Sequence, residues 1–370
     1  MNETFLTLLV FILAFGGMVI IHEFGHFIVA RLCKIEVEEF GIGLPTPGAL
    51  TLFKWQGTRF TLNWLPLGGF VRPKGENDPT IPGGLAAASP WARLAVLFAG
   101  PLMNLLTAVV IYSFIFTRVG VPDTNRVLVS SVVEEGPAAQ AGFQNDDIFV
   151  SGNGTPIRSY DDLRAIVDAN DGKPVTFIVD RHGEQVELTA TPQMNEAEKR
   201  VMIGVGLGVP FKPATSFIDT LNLGARYTYL NVRTLLSLPA QLIRGSLAPE
   251  QGRLVGLKGI YDIFSQTVSR DVDVSTSAPT SPSTDPLNQP VRTLELIAAL
   301  SISLGVFNLF PFPALDGGRI LFILPELIFR RRVSPQVETL VHGLGMAVLL
   351  AFMVYVNVMD FVDPIAVTIP

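Results

Sequence analysis

Two histidines and a glutamate near the start of the chain have the types and spacing of a metal-binding helix. They lie in the pentapeptide His22-Glu23-Phe24-Gly25-His26. Histidines four positions apart share one face of a helix, so both imidazoles can ligate one zinc ion. The glutamate beside the first histidine is placed to take a proton from an attacking water molecule. The pattern predicts that His22 and His26 bind Zn²⁺ and that Glu23 is a general base.

The pentapeptide lies inside an apolar run, residues 5–30, and this context strengthens the prediction. A charged side chain at the centre of a membrane helix costs roughly 2.5–3.5 kcal/mol, so this cluster needs a compensating role. The alternative is a polar patch that only packs one helix against another. At 1.5 Å per residue, His22 lies about 25 Å along the helix from Phe5, which predicts a metal within the membrane near its cytoplasmic face.

Asp316 is the candidate for the third protein ligand that a catalytic zinc site needs. It is an acidic residue in an otherwise apolar run. Pro311 and Pro313 break a helix before it, and Gly317 and Gly318 permit a tight turn after it. The alternative is that Asp316 caps the following helical segment, and the two roles are compatible.

Apolar runs that could cross a membrane must position these groups. Only 16% of the residues are charged, and the mean hydropathy is +0.41. Three runs are long enough for a hydrocarbon core of about 30 Å, and a fourth is interrupted by prolines and Asp316. The sequence predicts an α-helical polytopic membrane protein with four transmembrane segments, in residues 1–34, 90–118, 292–330 and 336–360.

Basic residues predict the orientation of these segments. They collect between the first two spans and after the third, at Arg330, Arg331 and Arg332, while both ends of the chain lack them. The basic loops are therefore expected in the cytoplasm and both termini outside. The first span lacks the features of a cleaved signal peptide and is expected to be retained.

Between the spans, the pattern changes twice. Residues 35–75 are rich in glycine, β-branched and aromatic residues, with a hairpin turn at 54–58, and predict a re-entrant, membrane-associated β segment. Strands at 127–129, 148–150, 175–179 and 186–189, a helix at 161–167, and loops at 136–142 and 153–154 suggest a small soluble domain. This order resembles a PDZ domain of α+β type, inserted at 124–195 on the extracytoplasmic side.

Two further segments follow the small domain. Apolar residues spaced by three and four predict an amphipathic helix within 215–268, packed on the membrane surface or on the small domain, with a distinct functional helix as the alternative. Residues 269–291 are dominated by Ser, Thr, Pro and Asp, which predicts a flexible linker.

Together, these features resemble the bacterial site-2 protease family of intramembrane zinc metalloproteases. The resemblance rests on the order of H-E-x-x-H, β segment, PDZ-like domain and the Leu315-Asp316-Gly317 motif. It implies that His22, His26 and Asp316 ligate zinc and that Glu23 is the catalytic base. It also implies that Asn308 holds the substrate backbone, with helix packing as the alternative. The segment 98–101 and Asn104 resemble a second-span signature, in which close helix packing is expected of Gly100.

The resemblance implies hydrolysis of a peptide bond within the transmembrane segment of a single-span protein that an upstream site-1 protease has trimmed. Anti-sigma factors and remnant signal peptides are both typical substrates, and the bacterial plasma (inner) membrane is the expected location. The resemblance also favours an edge strand around 58–70 that pairs with the substrate, with an ordinary cytoplasmic hairpin as the alternative. The PDZ domain is expected either to restrict bulky substrates or to serve as a docking module.

Two other function classes fit less well. A catalytically silent adaptor would not need the intact metal set, and a zinc transporter would need ligands along a path through the membrane. The net charge of −6 offers no basic surface for nucleic acid, and the single cysteine, Cys33, cannot form an internal disulfide.

Overall fold

The computed structural model describes residues 3–195, 199–245, 255–276 and 289–363. Contacts divide the chain into two compact units. One comprises Met1–Ile115, Phe217–Ala278 and Pro290–Pro370, and the other comprises Phe116–Ser216 with Pro279–Gln289. The first unit holds all the candidate metal ligands.

Helices dominate the first unit. They are α1 (Glu3–Leu32), α2 (Pro90–Val119), α5 (Phe217–Ile243), α6 (Leu257–Thr276), α7 (Arg292–Asn308), α8 (Asp316–Phe329) and α9 (Pro335–Val362). Among the described residues, three stretches are long and apolar enough to cross a membrane: Thr4–Leu32, Pro90–Val119 and Pro335–Val362. The predicted discontinuous span is present as α7 and α8, separated by residues 309–315. That this pair crosses the membrane stays a prediction.

A four-stranded sheet follows α1. Its strands are β1 (Val37–Leu44), β2 (Leu50–Trp55), β3 (Thr58–Leu62) and β4 (Leu65–Pro73), in the order β2-β3-β1-β4. Gln56 and Gly57 join β2 to β3 with φ of 46° and 88°, which confirms the predicted hairpin turn. Phe27 of α1 packs with Phe40 and Phe60 of the sheet.

The edge strand expected within residues 58–70 is confirmed for β4, which begins at Leu65, and is wrong for β3. β3 pairs with β1 in parallel and with β2 antiparallel, so it lies inside the sheet. β4 pairs with β1 alone and forms one edge. Short strands do not reveal their order in a sheet, so the sequence could not distinguish β3 from β4.

The second unit is built on a separate sheet. In chain order its strands and helices are β5 (Val121–Pro122), β6 (Val127–Val132), α3 (Pro137–Ala141), β7 (Ile148–Gly152), β8 (Thr155–Pro156), α4 (Tyr160–Asp168), β9 (Val175–Arg181), β10 (Glu184–Ala190), β11 (Gln193–Asn195), β12 (Arg200–Met202), β13 (Val205–Gly208) and β14 (Phe211–Lys212). The main sheet has the order β10-β9-β7-β6-β13. Phe149, Phe177 and Val179 are at its buried centre.

All four strands and the helix predicted for this unit are confirmed. The segment 136–142, which was expected to be only a loop, contains the short helix α3. Pro137 starts this helix, and Gly142 ends it with φ of 85°. The chain is thus a membrane protein with an inserted β-rich domain, and its assignment as a PDZ domain stays a prediction.

The prediction of a flexible linker from residue 269 is wrong for its first residues. Helix α6 continues to Thr276, so residues 269–276 are helical. Val268 and Phe264 of this helix are buried against Phe11 of α1, and Val272 packs on the same cluster. This tertiary contact outweighs the polar composition of the segment. Residues 277–288 lie outside the described part of the chain.

Candidate metal centre and active site

Three side chains converge as predicted from the two separate motifs. Oδ2 of Asp316 lies 3.1 Å from Nε2 of His22 and 3.3 Å from Nε2 of His26. The two Nε2 atoms are 3.2 Å apart. Within the described residues, this is the one group of three or more such side chains whose ligating atoms all lie within 4.8 Å of one another.

Helix α1 supplies both imidazoles from one face. His22 and His26 are 7% and 9% exposed, so the face that carries them is turned into the protein. Gly25 lets α1 pack closely on α2. A Cβ at this position would overlap the Ala99 backbone oxygen and lie 2.7 Å from Met103 Cγ of α2.

Groups of helix α2 contact the Nδ1 atom of each imidazole ring. The Val96 carbonyl oxygen lies 2.7 Å from Nδ1 of His26, and Nδ2 of Asn104 lies 3.1 Å from Nδ1 of His22. Gly100 lies midway between them on the same helix face. A Cβ at Gly100 would overlap Nε2 of His26 and lie 2.8 Å from Nε2 of His22. Gly100 therefore makes room for the imidazoles themselves, in addition to the helix contact that the sequence suggested.

Asp316 lies at the end of the break between α7 and α8. Asp316 is the first residue of α8, and Ala314 just before it has φ of 82°, a left-handed conformation. The Ala314 N–H donates to Nδ1 of His342 in α9 over 2.9 Å. Gly345, one turn further along α9, lets that helix contact Pro313, because a Cβ there would lie 2.8 Å from the Pro313 carbonyl oxygen.

His342 was missed by the sequence interpretation. The available signal was a histidine inside the last apolar run, in a chain with four histidines. Its partner is a backbone N–H almost thirty residues away, which no short motif records.

Glu23 lies between α1 and the edge strand β4. A Cβ at Gly69 of β4 would lie 3.4 Å from Cγ of Glu23, so the glycine lets the strand cross closely over this side chain. A half-buried carboxylate therefore lies next to the two histidines and against the face of the edge strand β4.

A model of the family described as peptidase family M50 matches residues 10–352, nearly the whole chain. The chain belongs to peptidase family M50. This family is that of the site-2 proteases, so the predicted resemblance is confirmed.

Individual relatives of this M50 peptidase match over nearly their full length. A Bartonella henselae protein that is named a zinc metalloprotease is 31% identical over 93% of this chain and 98% of its own. A Clostridium acetobutylicum protein with the same kind of name is 28% identical over 98% and 99%. A metalloprotease of Caulobacter vibrioides is 29% identical over 95% and 94%. The chain is accordingly a membrane zinc metallopeptidase with Zn²⁺ as its cofactor.

The residues present in this M50 peptidase fit zinc. Two imidazole nitrogens and one carboxylate oxygen are ligand types that zinc accepts, and three protein ligands leave a position for water. Because Gly100 has no side chain, both Nε2 atoms can lie against α2, where a Cβ would overlap that of His26.

Asn308 is the last residue of α7. Its Nδ2 donates to the Leu304 carbonyl oxygen over 2.9 Å, one turn back in the same helix. This contact is internal to α7, and a substrate-binding role for Asn308 stays a prediction.

Proposed function

We propose that this M50 peptidase hydrolyses a peptide bond within the transmembrane segment of a single-span membrane protein. The observation that carries the proposal is the position of His22, Glu23 and His26 within Thr4–Leu32, a stretch apolar enough to span a membrane. A hydrolytic site on such a helix reaches bonds that lie at membrane depth, where soluble proteases cannot act.

His22, His26 and Asp316 would hold the zinc ion. When bound, zinc acts as a Lewis acid that polarises the scissile carbonyl and makes water a better nucleophile at neutral pH. Glu23 takes the proton from the attacking water and delivers it to the leaving amine.

The substrate must be extended before its backbone is open to attack, since a helical segment shields its own peptide bonds. We propose that it pairs with the free edge of β4, in the β-augmentation mode. Support comes from the close crossing of β4 and Glu23 at Gly69. Asn308 would hold the substrate backbone from the other direction once its side chain leaves the Leu304 carbonyl.

Proline substitutions test the strand pairing, because proline removes a backbone donor. Phe70 and Val71 are neighbours, so their N–H groups point to opposite sides of β4. Proline at the residue whose N–H faces the free edge is expected to lower cleavage with zinc content unchanged, whereas proline at the other also disrupts pairing with β1. Prolines at Thr51 and Phe53 in β2, the opposite edge, provide the matched control. Equal effects at the two edges would contradict substrate pairing on β4.

The proposed topology has four spans, both termini outside, in the bacterial inner membrane. The domain at 124–195 is proposed to be a PDZ domain that restricts bulky substrates, so that cleavage follows trimming by a site-1 protease. Anti-sigma factors and remnant signal peptides are the proposed substrates. Deletion of residues 126–192 should permit cleavage of untrimmed substrates if the domain is a gate, and unchanged specificity would point to docking instead.

The central experiment compares wild type with Glu23→Gln in detergent with zinc present, on a pre-trimmed single-span reporter. Loss of a general base is expected to lower the rate about 10²- to 10⁴-fold. Bound zinc, measured by elemental analysis, should be equal in the two proteins. Cleavage by both at the same rate would contradict the role of Glu23, and cleavage by neither would favour a silent adaptor.

A further inference from the structure

The first sheet has a polar face opposite the apolar face that packs on α1. Phe40 of β1 and Phe60 of β3 pack against α1, and their chain neighbours Glu39 and Arg59 face the other side. This other side lines a cavity of about 280 Å³, which is also lined by the loop 45–49. The polar side chains of the cavity are Glu39, Thr51, Arg59, Thr61, Asn63 and Arg72. None of them belongs to the metal centre.

Glu39 holds two arginines at this cavity. Its carboxylate is 8% exposed and accepts from Nη1 of Arg72 over 3.0 Å and from Nη2 of Arg59 over 3.3 Å. The Thr61 hydroxyl donates to the same carboxylate over 2.8 Å. The arginine side chains stay 46% and 48% exposed, and in the part of the chain that the structure describes Glu39 is the one acceptor for either guanidinium. Because a guanidinium has five N–H donors, most of them remain available to a molecule in the cavity.

The charge of the cavity favours an anion. Among the described residues, its ionisable side chains are Glu39, Arg59 and Arg72, so two positive charges and one negative charge leave one positive charge. Adjacent guanidinium groups bind a phosphate group through paired N–H···O bonds. A group with a single negative charge, such as a phosphodiester, therefore matches the cavity.

Exposed apolar side chains form a border beside the loop 45–49. Leu44 and Leu50 flank the loop and are 46% and 61% exposed. Trp64 is 78% exposed, and its indole N–H donates to the Gly48 carbonyl oxygen of the loop over 3.2 Å. Exposed tryptophan beside exposed leucines is typical of a membrane–water interface. This apolar border next to a cationic cavity matches a lipid better than a free anion.

We propose that the cavity binds the phosphate group of an anionic glycerophospholipid, whose acyl chains lie against the apolar border. Arg59 and Arg72 bind the phosphate, and Glu39 positions both guanidinium groups. In the proposed topology the sheet is on the cytoplasmic side, where the membrane surface carries anionic lipids. A lipid bound there holds the sheet at the bilayer surface. The site is separate from the metal centre, and its ligand binds without zinc or cleavage.

The test is binding of phosphatidylglycerol to full-length protein in detergent, with bound lipid counted by native mass spectrometry along a lipid titration. Arg59→Gln and Arg72→Gln are each expected to weaken binding about fivefold. Arg72→Lys keeps a positive charge beside the buried Glu39, so it provides a folded variant if the glutamine variants do not fold. It should also bind more weakly than wild type, because an ammonium group cannot form two parallel bonds to phosphate.

Lys54→Gln is the matched control, because Lys54 lies in β2 of the same sheet but does not line the cavity. It should bind phosphatidylglycerol as wild type does. A loss as large as that of Arg59→Gln would indicate diffuse attraction and overturn the proposal, as would wild-type affinity in every arginine variant. Inorganic phosphate is the second probe, and binding as tight as that of the lipid would overturn the assignment to a lipid.

Fluorescence of Trp64 tests the acyl-chain contact separately. The chain has three tryptophans, so Trp55→Phe combined with Trp91→Phe leaves Trp64 as the one emitter. Phosphatidylglycerol with brominated acyl chains is expected to quench this emission, and Arg59→Gln in the same background should reduce the quenching at equal lipid concentration. Absence of quenching, or quenching that Arg59→Gln leaves unchanged, would contradict a lipid held by the cavity and the apolar border together.

Discussion

The two regions that form the metal centre hold their ligands in contrasting ways. Helix α1 runs unbroken from Glu3 to Leu32 and presents His22 and His26 by its regular geometry. Asp316 comes instead from a break between two helices, where Ala314 has a left-handed backbone. One region relies on the repeat of the helix, and the other relies on contacts with distant elements.

This difference predicts which side of the metal site is more sensitive to substitutions. In α1 the spacing of the imidazoles is fixed locally, so only their outer nitrogens need support from α2. The carboxylate of Asp316 depends on a backbone conformation that α9 stabilises through His342. Substitutions far from the metal should therefore affect the Asp316 side more than the histidine side.

The largest effect is expected from loss of a ligand, whichever region supplies it. In His26→Ala and Asp316→Ala, zinc affinity and cleavage rate should both fall by more than about 100-fold. That is more than the loss of a hydrogen-bond partner of a ligand usually causes. His182→Ala, in the turn between β9 and β10, is the control and should retain both. Normal zinc content in Asp316→Ala alone would show that the broken segment does not supply a ligand.

Gly100→Ala is expected to have the next largest effect, since it acts on both imidazoles. The added Cβ would lie 2.8 Å from Nε2 of His22 and overlap that of His26, so a ring or a helix must move. Overpacking of this kind costs about 1–3 kcal/mol, or about 5- to 150-fold in zinc affinity. Gly16→Ala is the matched control, because nothing lies within 4 Å of a Cβ at that position.

His342→Phe tests whether α9 stabilises the loop before Asp316. Without an acceptor for the Ala314 N–H, the loop before Asp316 loses a hydrogen bond of about 1 kcal/mol, so zinc affinity should fall about fivefold. In His342→Asn, the side-chain oxygen can replace Nδ1 and should restore part of the affinity. Identical affinities in wild type and both variants would show that α9 does not hold the loop.

Ala314→Gly should have the smallest effect. Glycine relieves the left-handed strain of about 1–2 kcal/mol, but it also gives the unfolded chain more freedom. We expect the two contributions nearly to cancel, leaving unfolding free energy within about 1 kcal/mol of wild type in denaturant titrations. A loss well beyond this would mean that the methyl group of Ala314 is itself needed.

The regular parts of the site and fold could be predicted from the sequence. The spacing of His22 and His26 needs only the helical repeat, and the prolines before Asp316 locate the break. The four predicted strands of the second unit, β6, β7, β9 and β10, and the Gln56-Gly57 turn follow from residue types, whereas β13 of the same sheet was not predicted. In each case the cause lies within a few residues of the effect.

The remaining features depend on contacts between distant segments. The position of β3 inside the sheet follows from its parallel pairing with β1. The end of α6 at Thr276 depends on burial of Val268 against α1. The partners of Asn104 and His342 come from other helices, and no local pattern records them.

The proposed ligands lie far apart in the sequence, so the ribosome makes them at different times. His22 and Asp316 are 294 residues apart, whereas Asn104 follows His22 by only 82 residues and Val96 follows His26 by 70. At ribosomal rates of about 5–20 residues per second, Asn104 is made about 4–16 s after His22 and Asp316 about 15–60 s after it. The second helix is thus available to accompany the polar face of the first through the membrane long before the third ligand exists.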